Sequence, residues 1–356
     1  MDETLHRQLV AWRRHLHAHP ELSLGEKQTA AFVCARLGEL GIPYIAGVGG
    51  HGVVATLRRG ASNRSVGLRA DMDALPIEET TGLAHASTSP GVMHACGHDG
   101  HTTSLLGAAA VLQQDASWSG TVHLVFQPAE EGAGGARAMV ADGLFDRFPM
   151  ERIFAYHNWP GLEAGTVAVH DGPVMAGGSR IAITLRGVAG HAAMPHLARD
   201  PMLAAGHLIV ALQSIVAREV DPLETAVVSI CVVESGRAAN QIPESVTLRG
   251  TARTFKDSVR DRVRASVVRI SEGIAATFGV VAHAEMPPGI SPVANTQAEA
   301  AIVASAAEAA GLPVRRDLPP SMASEDFGHF LRERPGAFLW VGNGPATDGT
   351  GLHNPG

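Results

Sequence analysis

Leu5, Leu9, Trp12 and Leu16 recur every three or four residues among Arg and His, which predicts a helix over 4–18. A second helical face follows in Ala30, Val33, Leu37 and Leu40, stopped by Gly41 and Pro43. The period then changes. Two short apolar runs, 52–58 and 65–70, read as strands, and the second leads directly into Asp71-Met72-Asp73-Ala74-Leu75-Pro76. Next come a histidine-dense loop at 93–101, a Leu- and Ala-rich helix at 102–114 and a strand at 121–126. Glycines 132, 134 and 135 open a helix that runs to Val140, and a strand covers 152–156. Three of these strands end on acidic or imidazole groups, at Asp71, at Glu130-Glu131 and at His157. Open α/β sheets build their sites at such strand ends.

The pattern changes again near Gly177-Gly178. From there it predicts strand 179–186, helix 201–218, strands 225–233 and 246–254, helix 258–278 and strand 280–285. The order β-α-β-β-α-β is that of a ferredoxin-like unit. Pro287-Pro288-Gly289 marks a return, with helix 296–311 and strand 336–341 rejoining the first part. The expected fold class is therefore α/β. A domain of residues 1–177 and 289–356 has a central mixed sheet flanked by helices, and residues 178–288 form an inserted α+β domain.

Composition narrows the function. At 356 residues, two domains are the natural expectation. A 45% apolar content excludes a disordered chain, and a net charge of −7 without a long basic run excludes nucleic acid as a partner. No run of apolar residues approaches the roughly 18 of a membrane span, and the charged N-terminus has no apolar signal core. Cys34, Cys96 and Cys231 are odd in number and far apart, which fits a reducing cytoplasm better than a disulfide framework.

The chemistry concentrates in Met93-His94-Ala95-Cys96-Gly97-His98-Asp99-Gly100-His101. Thiolate, imidazole and carboxylate groups suit zinc and its neighbours. A turn at Gly97 would bring Cys96 and His98 to one metal or to two close ones, with His94 and His101 in supporting positions. Glu130-Glu131 follows a strand, where adjacent like charges usually mark a solvated turn. Beside a metal they can divide the work, one as ligand and one as general base. His157 and His353 are single histidines and carry little weight alone. In the inserted domain, His191 sits on a small-residue loop and reads either as a surface group or as a donor to a substrate carbonyl. Asn240 reads as a turn residue or a carboxylate contact. Arg253 lies in a strand where an unpaired buried charge would be costly unless an anionic substrate compensated it. Ser324-Glu325-Asp326-Phe327 reads as a helix N-cap with acidic residues in its first turn.

Taken together, MHACGHDGH, FQPAEEG, HNWPG, GHAAMPH and SEDFG, in this order, resemble the aminoacylase/hippurate hydrolase group of bimetallic metallopeptidases. The resemblance runs from Arg14 to Gly356. It implies Cys96, His98, Glu131, His157 and His353 as ligands of two divalent ions, whether manganese, zinc, cobalt or nickel. It implies Glu130 as general base, Asp71 as the acid orienting the metal site, and His191 as a lid-domain histidine, supplied in some relatives by the partner subunit. Asn240 and Arg253 are implied as contacts to the substrate carboxylate. The implied reaction is hydrolysis of N-acyl amino acids by a cytoplasmic homodimer joined through the lid. A dipeptidase, an N-acetyl-diaminopimelate deacetylase and a non-catalytic binding protein are the alternatives, and a mere binder needs no Glu130. Two departures stand out. Relatives usually continue past the last histidine motif into a final helix, so a trimmed chain is expected. Residues 81–92 carry Ser and Pro where relatives are often charged.

Overall fold

The computed structural model describes residues 2–345 and 351–356. Met1 and residues 346–350, both assigned above to the first domain, lie outside them. The chain divides into two compact units. One comprises Met1–Val174, Val293–Pro320 and Glu325–Gly356; the other comprises Met175–Pro292 with Ser321–Ser324.

The first unit opens with α1 (Glu3–Ala18), capped by Asp2, which accepts from Thr4 N at 3.2 Å. It continues with α2 (Lys27–Glu39), β1 (Tyr44–Val48), β2 (Gly52–Arg59), β3 (Ser65–Asp71), α3 (His98–Gln114) and β4 (Gly120–Gln127). Then come α4 (Gly135–Ala141), α5 (Leu144–Arg147), β5 (Arg152–Trp159), β6 (Val167–Val169) and β7 (Pro173–Met175). After the second unit the chain adds β14 (Val293–Ala294), α8 (Gln297–Ala309), β15 (Val314–Arg315), α9 (Gly328–Glu333) and β16 (Gly336–Gly342). The eight-stranded sheet has the order β1-β2-β4-β3-β5-β16-β6-β15. Its middle strands β4, β3, β5 and β16 run parallel, so their C-terminal ends share one edge. The outer strands β1, β2 and β6 make the sheet mixed. Trp12, Val33, Leu37 and Leu106 of the helices pack with Val53, Leu124 and Phe126 on one face. On α8, Ala300, Val303, Ala304 and Ala307 pack with Val167, Val169 and Ala337.

The second unit contains β8 (Gly177–Arg186), β9 (Gly190–His191), α6 (Pro201–Leu212), β10 (Ala226–Glu234), β11 (Gln241–Ile242), β12 (Ser245–Thr254), α7 (Asp257–Phe278) and β13 (Val281–Glu285). Its sheet order β10-β12-β8-β13, all antiparallel, is the pairing that β-α-β-β-α-β connectivity gives in a ferredoxin-like unit. Ile181, Ile183 and Leu185 alternate into its core against Leu208 and Leu212 of α6 and Val263 and Val267 of α7.

Several expectations shift. The helix expected at 102 begins at His98, because Gly97 adopts φ +90° and turns the chain into it. A Cβ there would collide with the Asn158 amide, so only glycine fits. His98 and His101 are thus first-turn helix residues rather than loop residues. His157 lies within β5 rather than after it. The helix expected over 201–218 ends at Leu212 and passes into a π-type turn, Ile215–Glu219. By length and composition, Pro201–Glu219 meets the criterion for a membrane span, which the apolar-run reading overlooked. Its Ala204, Leu208 and Leu212 fill the core of the second unit.

Candidate metal centre and active site

The shared strand edge of the first unit gathers the chemistry. Asp71 ends β3, Glu130 and Glu131 follow β4, His157 comes from β5, and Cys96 and His98 flank the Gly97 turn. Cys96 Sγ stands 3.4 Å from His157 Nε2. Glu131 Oε1 lies 3.9 Å from His98 Nε2 and 3.5 Å from His353 Nε2. Ligand atoms of three sets converge within 4.8 Å: Cys96, His98 and His157; Cys96, Glu131 and His353; and His98, Glu130 and Glu131. His353 has φ +64° and its N–H donates to Ala95 O at 2.9 Å, which ties the C-terminal stretch to the cysteine loop.

Divalent ions fit these residues on two observations. Among the described residues, His98 Nε2 and Glu131 Oε1 are buried without a hydrogen-bond partner, which is costly unless a cation engages them, while His98 Nδ1 stands 3.4 Å from Asp73 Oδ1. Burial also pushes the Cys96 thiol up to about 12, so a thiolate here needs a cation beside it. His98 and His157 differ in charge. Burial opposes a charge on His98, yet Asp71 raises its proton affinity well above the usual histidine range. Burial and neighbouring His101 drive His157 far below it, leaving a neutral ring.

The Glu130-Glu131 turn is pinned at every residue. Glu26 accepts from Ala129 N at 2.7 Å and holds Ala129 at φ +55°. Asp73 accepts from Glu130 N and Glu131 N, both at 3.0 Å, and from Ser23 Oγ at 2.6 Å. Glu130 itself accepts from Asp326 N at 3.2 Å. Its carboxyl is raised well above the usual range by burial and by Glu325 and Asp326.

Beneath lies a fully buried charge cluster. Arg69 donates to Gln127 Oε1 at 2.7 Å, Asp71 Oδ2 at 2.8 Å and Glu325 Oε1 at 2.8 Å. Asp326 accepts from Gln127 Nε2 at 2.7 Å and Ala136 N at 2.9 Å. One guanidinium therefore faces Asp71, Glu130, Glu325 and Asp326. Burial raises the carboxyls of Glu325 and Asp326, the latter to about 8, so the cluster is held by shared protons as well as by the guanidinium. Glu325 and Asp326 are thus cluster members rather than first-turn helix residues; α9 starts at Gly328 and no side chain caps it. Asp71 also receives His101 Nδ1–H at 2.6 Å, while His101 Nε2 accepts from Asn158 N at 3.0 Å. Behind α3, Asp99 is held by His17 at 2.8 Å and Arg13 at 2.9 Å. His94 is buried with both ring nitrogens unpaired among the described residues, and burial brings it down to about 4.

Sequence reasoning gave no role to Arg69, Glu26 or Gln127, placed Asp73 beside Asp71 at a strand end without a role of its own, and read Asp326 as a first-turn helix residue. The signal for a role of Asp73 was its place two residues beyond Asp71 and so on the same side of an extended chain.

In the second unit, His191 and Asn240 come together on one ribbon. His191 pairs with Gln241, and Ala192 N donates to Asn240 O at 3.0 Å. Both side chains are exposed. Arg253 is not with them. It pairs with Gly178 at one end of β8, whereas Ser245, three residues after β11, pairs with Arg186 at the other. Eight strand residues separate those ends, roughly 26 Å at about 3.3 Å per residue.

Known proteins place this arrangement. The chain is 42% identical over 347 residues to the N-acetyl-L-cysteine deacetylase of Bacillus subtilis (strain 168), covering 97% of this chain and 82% of that protein. It is 41% identical to the hippurate hydrolase of Campylobacter jejuni, covering 93% and 87% respectively. The crystal structure of the Bacillus subtilis YXEP protein, described as a dinuclear metal binding peptidase from the M20 family, superimposes with a TM-score of 0.87 at 36% identity. That match covers 99% of this chain and 92% of that one. Residues 67–356 match the model of Peptidase family M20/M25/M40, and the chain belongs to that family.

Proposed function

We propose that the protein is a metal-dependent amidohydrolase that cleaves the amide bond of N-acyl amino acids to a carboxylic acid and a free amino acid. The relatives named for N-acetylcysteine and hippurate hydrolysis support that substrate class. The observation that carries the reading is Glu130, a buried carboxylate held by Asp326 N–H beside a set of unpaired ligand atoms. Cys96, His98, Glu131, His157 and His353 would hold two divalent ions. When bound, such ions supply Lewis acidity toward the amide carbonyl and acidify water. Glu130 takes the proton of the attacking water and returns it to the leaving nitrogen. Asp71 orients His101 and holds negative charge behind His98.

Arg253 and Asn240 serve the substrate carboxylate and His191 donates to the developing oxyanion. Arg253 and the His191–Asn240 ribbon sit toward opposite ends of β8, farther apart than a small N-acyl amino acid reaches. This favours a homodimer in which His191 and Asn240 act on the partner's substrate. Met202, Leu203 and Val210 of α6 expose apolar surface on the same unit, which fits such an interface. The free Cys34, Cys96 and Cys231 support a reducing, cytoplasmic setting.

The test is a screen of the metal-reconstituted protein over N-acetyl, N-benzoyl and indole-acetyl amino acids and over dipeptides. Turnover of one acyl series is expected. Turnover of dipeptides alone contradicts the reading.

A further inference from the structure

His17 lies on α1, outside the metal centre, and is only 3% exposed. Both of its ring nitrogens face carboxylates. Nδ1 stands 2.8 Å from Asp99 Oδ2, and Nε2 stands 3.3 Å from Glu79 Oε1. An imidazole that donates from both nitrogens carries two protons and a positive charge. Burial opposes that charge, but the hydrogen bond and charge of Asp99 outweigh it, so the ring holds its proton above the usual histidine range. Arg13 Nε places a second cation on Asp99 at 2.9 Å. Its Nη1 donates to His85 Nε2 at 3.1 Å, which makes the His85 ring an uncharged acceptor. Two cations thus meet two carboxylates, and the charges of the cluster close on one another.

Each carboxylate leads to a different proposed ligand. Asp99 follows His98 in the first turn of α3 and also accepts from Gly100 N at 2.9 Å, so its position sets that of the turn. Glu79 accepts from Ser87 N at 2.6 Å and from Thr81 Oγ1, which fixes the loop around it. The next residue, Thr80, donates from N at 2.7 Å and from Oγ1 at 3.1 Å to Pro355 O. Pro355 is two residues past His353, whose own N–H is anchored on Ala95 O. One path therefore runs from His98 through Asp99, His17, Glu79, Thr80 and Pro355 to His353. His98 converges with Cys96 and His157, and His353 converges with Cys96 and Glu131. His17 stands behind one member of each set. Apolar packing would dock α1 as well, since a buried ion bridge adds little stability over hydrophobic residues of its size. What the bridge adds is a fixed distance and direction at both ends.

We propose that His17 is a positioning residue for both ions, a charged clasp that holds the turn carrying His98 against the loop that anchors the His353 strap. This rests on the metal-dependent function proposed above and adds that the two ligand sets share one support on α1. The clasp acts through Asp99 and Glu79 and meets neither substrate nor ion.

The test titrates the metal-free chain with zinc against a chromophoric chelator, alongside urea unfolding, for wild type, His17→Gln and Glu79→Gln. Glutamine at 17 is neutral, and its amide can reach only one carboxylate at a time. It is expected to weaken both zinc affinities about tenfold or more, the scale of losing a group that supports metal ligands. Glu79→Gln keeps an acceptor for the Ser87 N–H and removes only the charge facing His17. It is expected to weaken one affinity about tenfold and to leave the other within about twofold, because Asp99 still holds the His98 turn. It also carries the test alone should His17→Gln fail to fold. A merely structural bridge would lower the urea midpoint and leave both affinities in place. Unchanged affinities in either folded variant overturn the clasp, as does a parallel fall of both in Glu79→Gln. If wild type binds no zinc, the proposed function and the clasp fall together. If it binds two ions and His17→Gln holds both as tightly, the clasp falls alone.

Discussion

The two units hold their chemical groups in opposite ways. In the first, the carboxylates and imidazoles are buried and lock one another. Asp73 binds two consecutive N–H groups, Glu26 binds a third, and Arg69 ties Asp71 to Glu325. In the second, His191 and Asn240 are exposed, and among the described residues Arg253 has only neutral acceptors. A centre that must keep ions and a base in place is preorganised at the expense of buried charge. Groups that meet a substrate or a second subunit can wait unpaired at a surface. Apart from Glu130, whose proposed part is proton transfer rather than support, changes in the first unit should therefore cost fold or metal, and changes in the second should cost kinetics alone.

The sharpest break is Arg69→Met. It leaves Asp71, Glu325 and Asp326 buried without their guanidinium, and losing one partner of a buried charge network typically costs about 3–5 kcal/mol. Urea titration should show a loss of that size, or no soluble protein. A loss under 1 kcal/mol would mean that the cluster is more hydrated than its burial indicates.

In the second unit, His191→Ala should lower kcat by about two orders of magnitude, the scale of one lost oxyanion donor, and leave metal content unchanged. Mixed dimers of His191→Ala with Glu130→Gln subunits should recover activity, because one site then has both groups. Verified mixed dimers without recovery exclude a partner-supplied histidine.

Asp73→Asn sharpens the comparison from the first unit. It weakens the anchor of both Glu130 and Glu131, and loss of a group supporting metal ligands usually costs 10- to 100-fold in metal affinity. Competition with a chelator measures it. Retention of wild-type affinity would show that the main-chain turn holds without Asp73.

The smallest effect is in protons. His98 holds its proton above the usual histidine range in the metal-free chain, and the Cys96 thiol does so to about 12. Ligation requires both deprotonated, so binding releases protons and affinity rises with pH. Acidification re-protonates His98 and should release metal. Calorimetry in buffers of different ionisation enthalpy should report at least one proton released per chain. No release would contradict the paired burial of Cys96 and His98.

Much of the first unit was legible because local signals agreed. Apolar runs gave β2, β3, β4, β5 and β16, and each site motif followed or ended one of them. Asp71, Glu130, Glu131, Cys96, His98, His157 and His353 do converge. The start of α3 was misplaced because Gly97 was read as a turn inside a loop, whereas its positive φ turns the chain straight into the helix. Arg69 was invisible because its partners lie up to 257 residues away, and a charged residue inside a strand ordinarily reads as solvent-facing. Asp326 was hidden for the same reason, and its acidic neighbour made the N-cap reading natural. Short strands such as β6 and β15 have too few residues to show a period. In the second unit the element order was clear, yet nothing in sequence spacing set His191 and Arg253 toward opposite ends of β8.

The most direct measurement is turnover by Glu130→Gln with its metal content verified. The variant keeps the size of the side chain and its acceptor to Asp326 N–H, but it cannot take a proton. It should bind metal as wild type does and lose turnover by at least ~10²-fold, the usual scale for a lost general base. Near-normal turnover by the fully loaded variant would contradict Glu130 as the base.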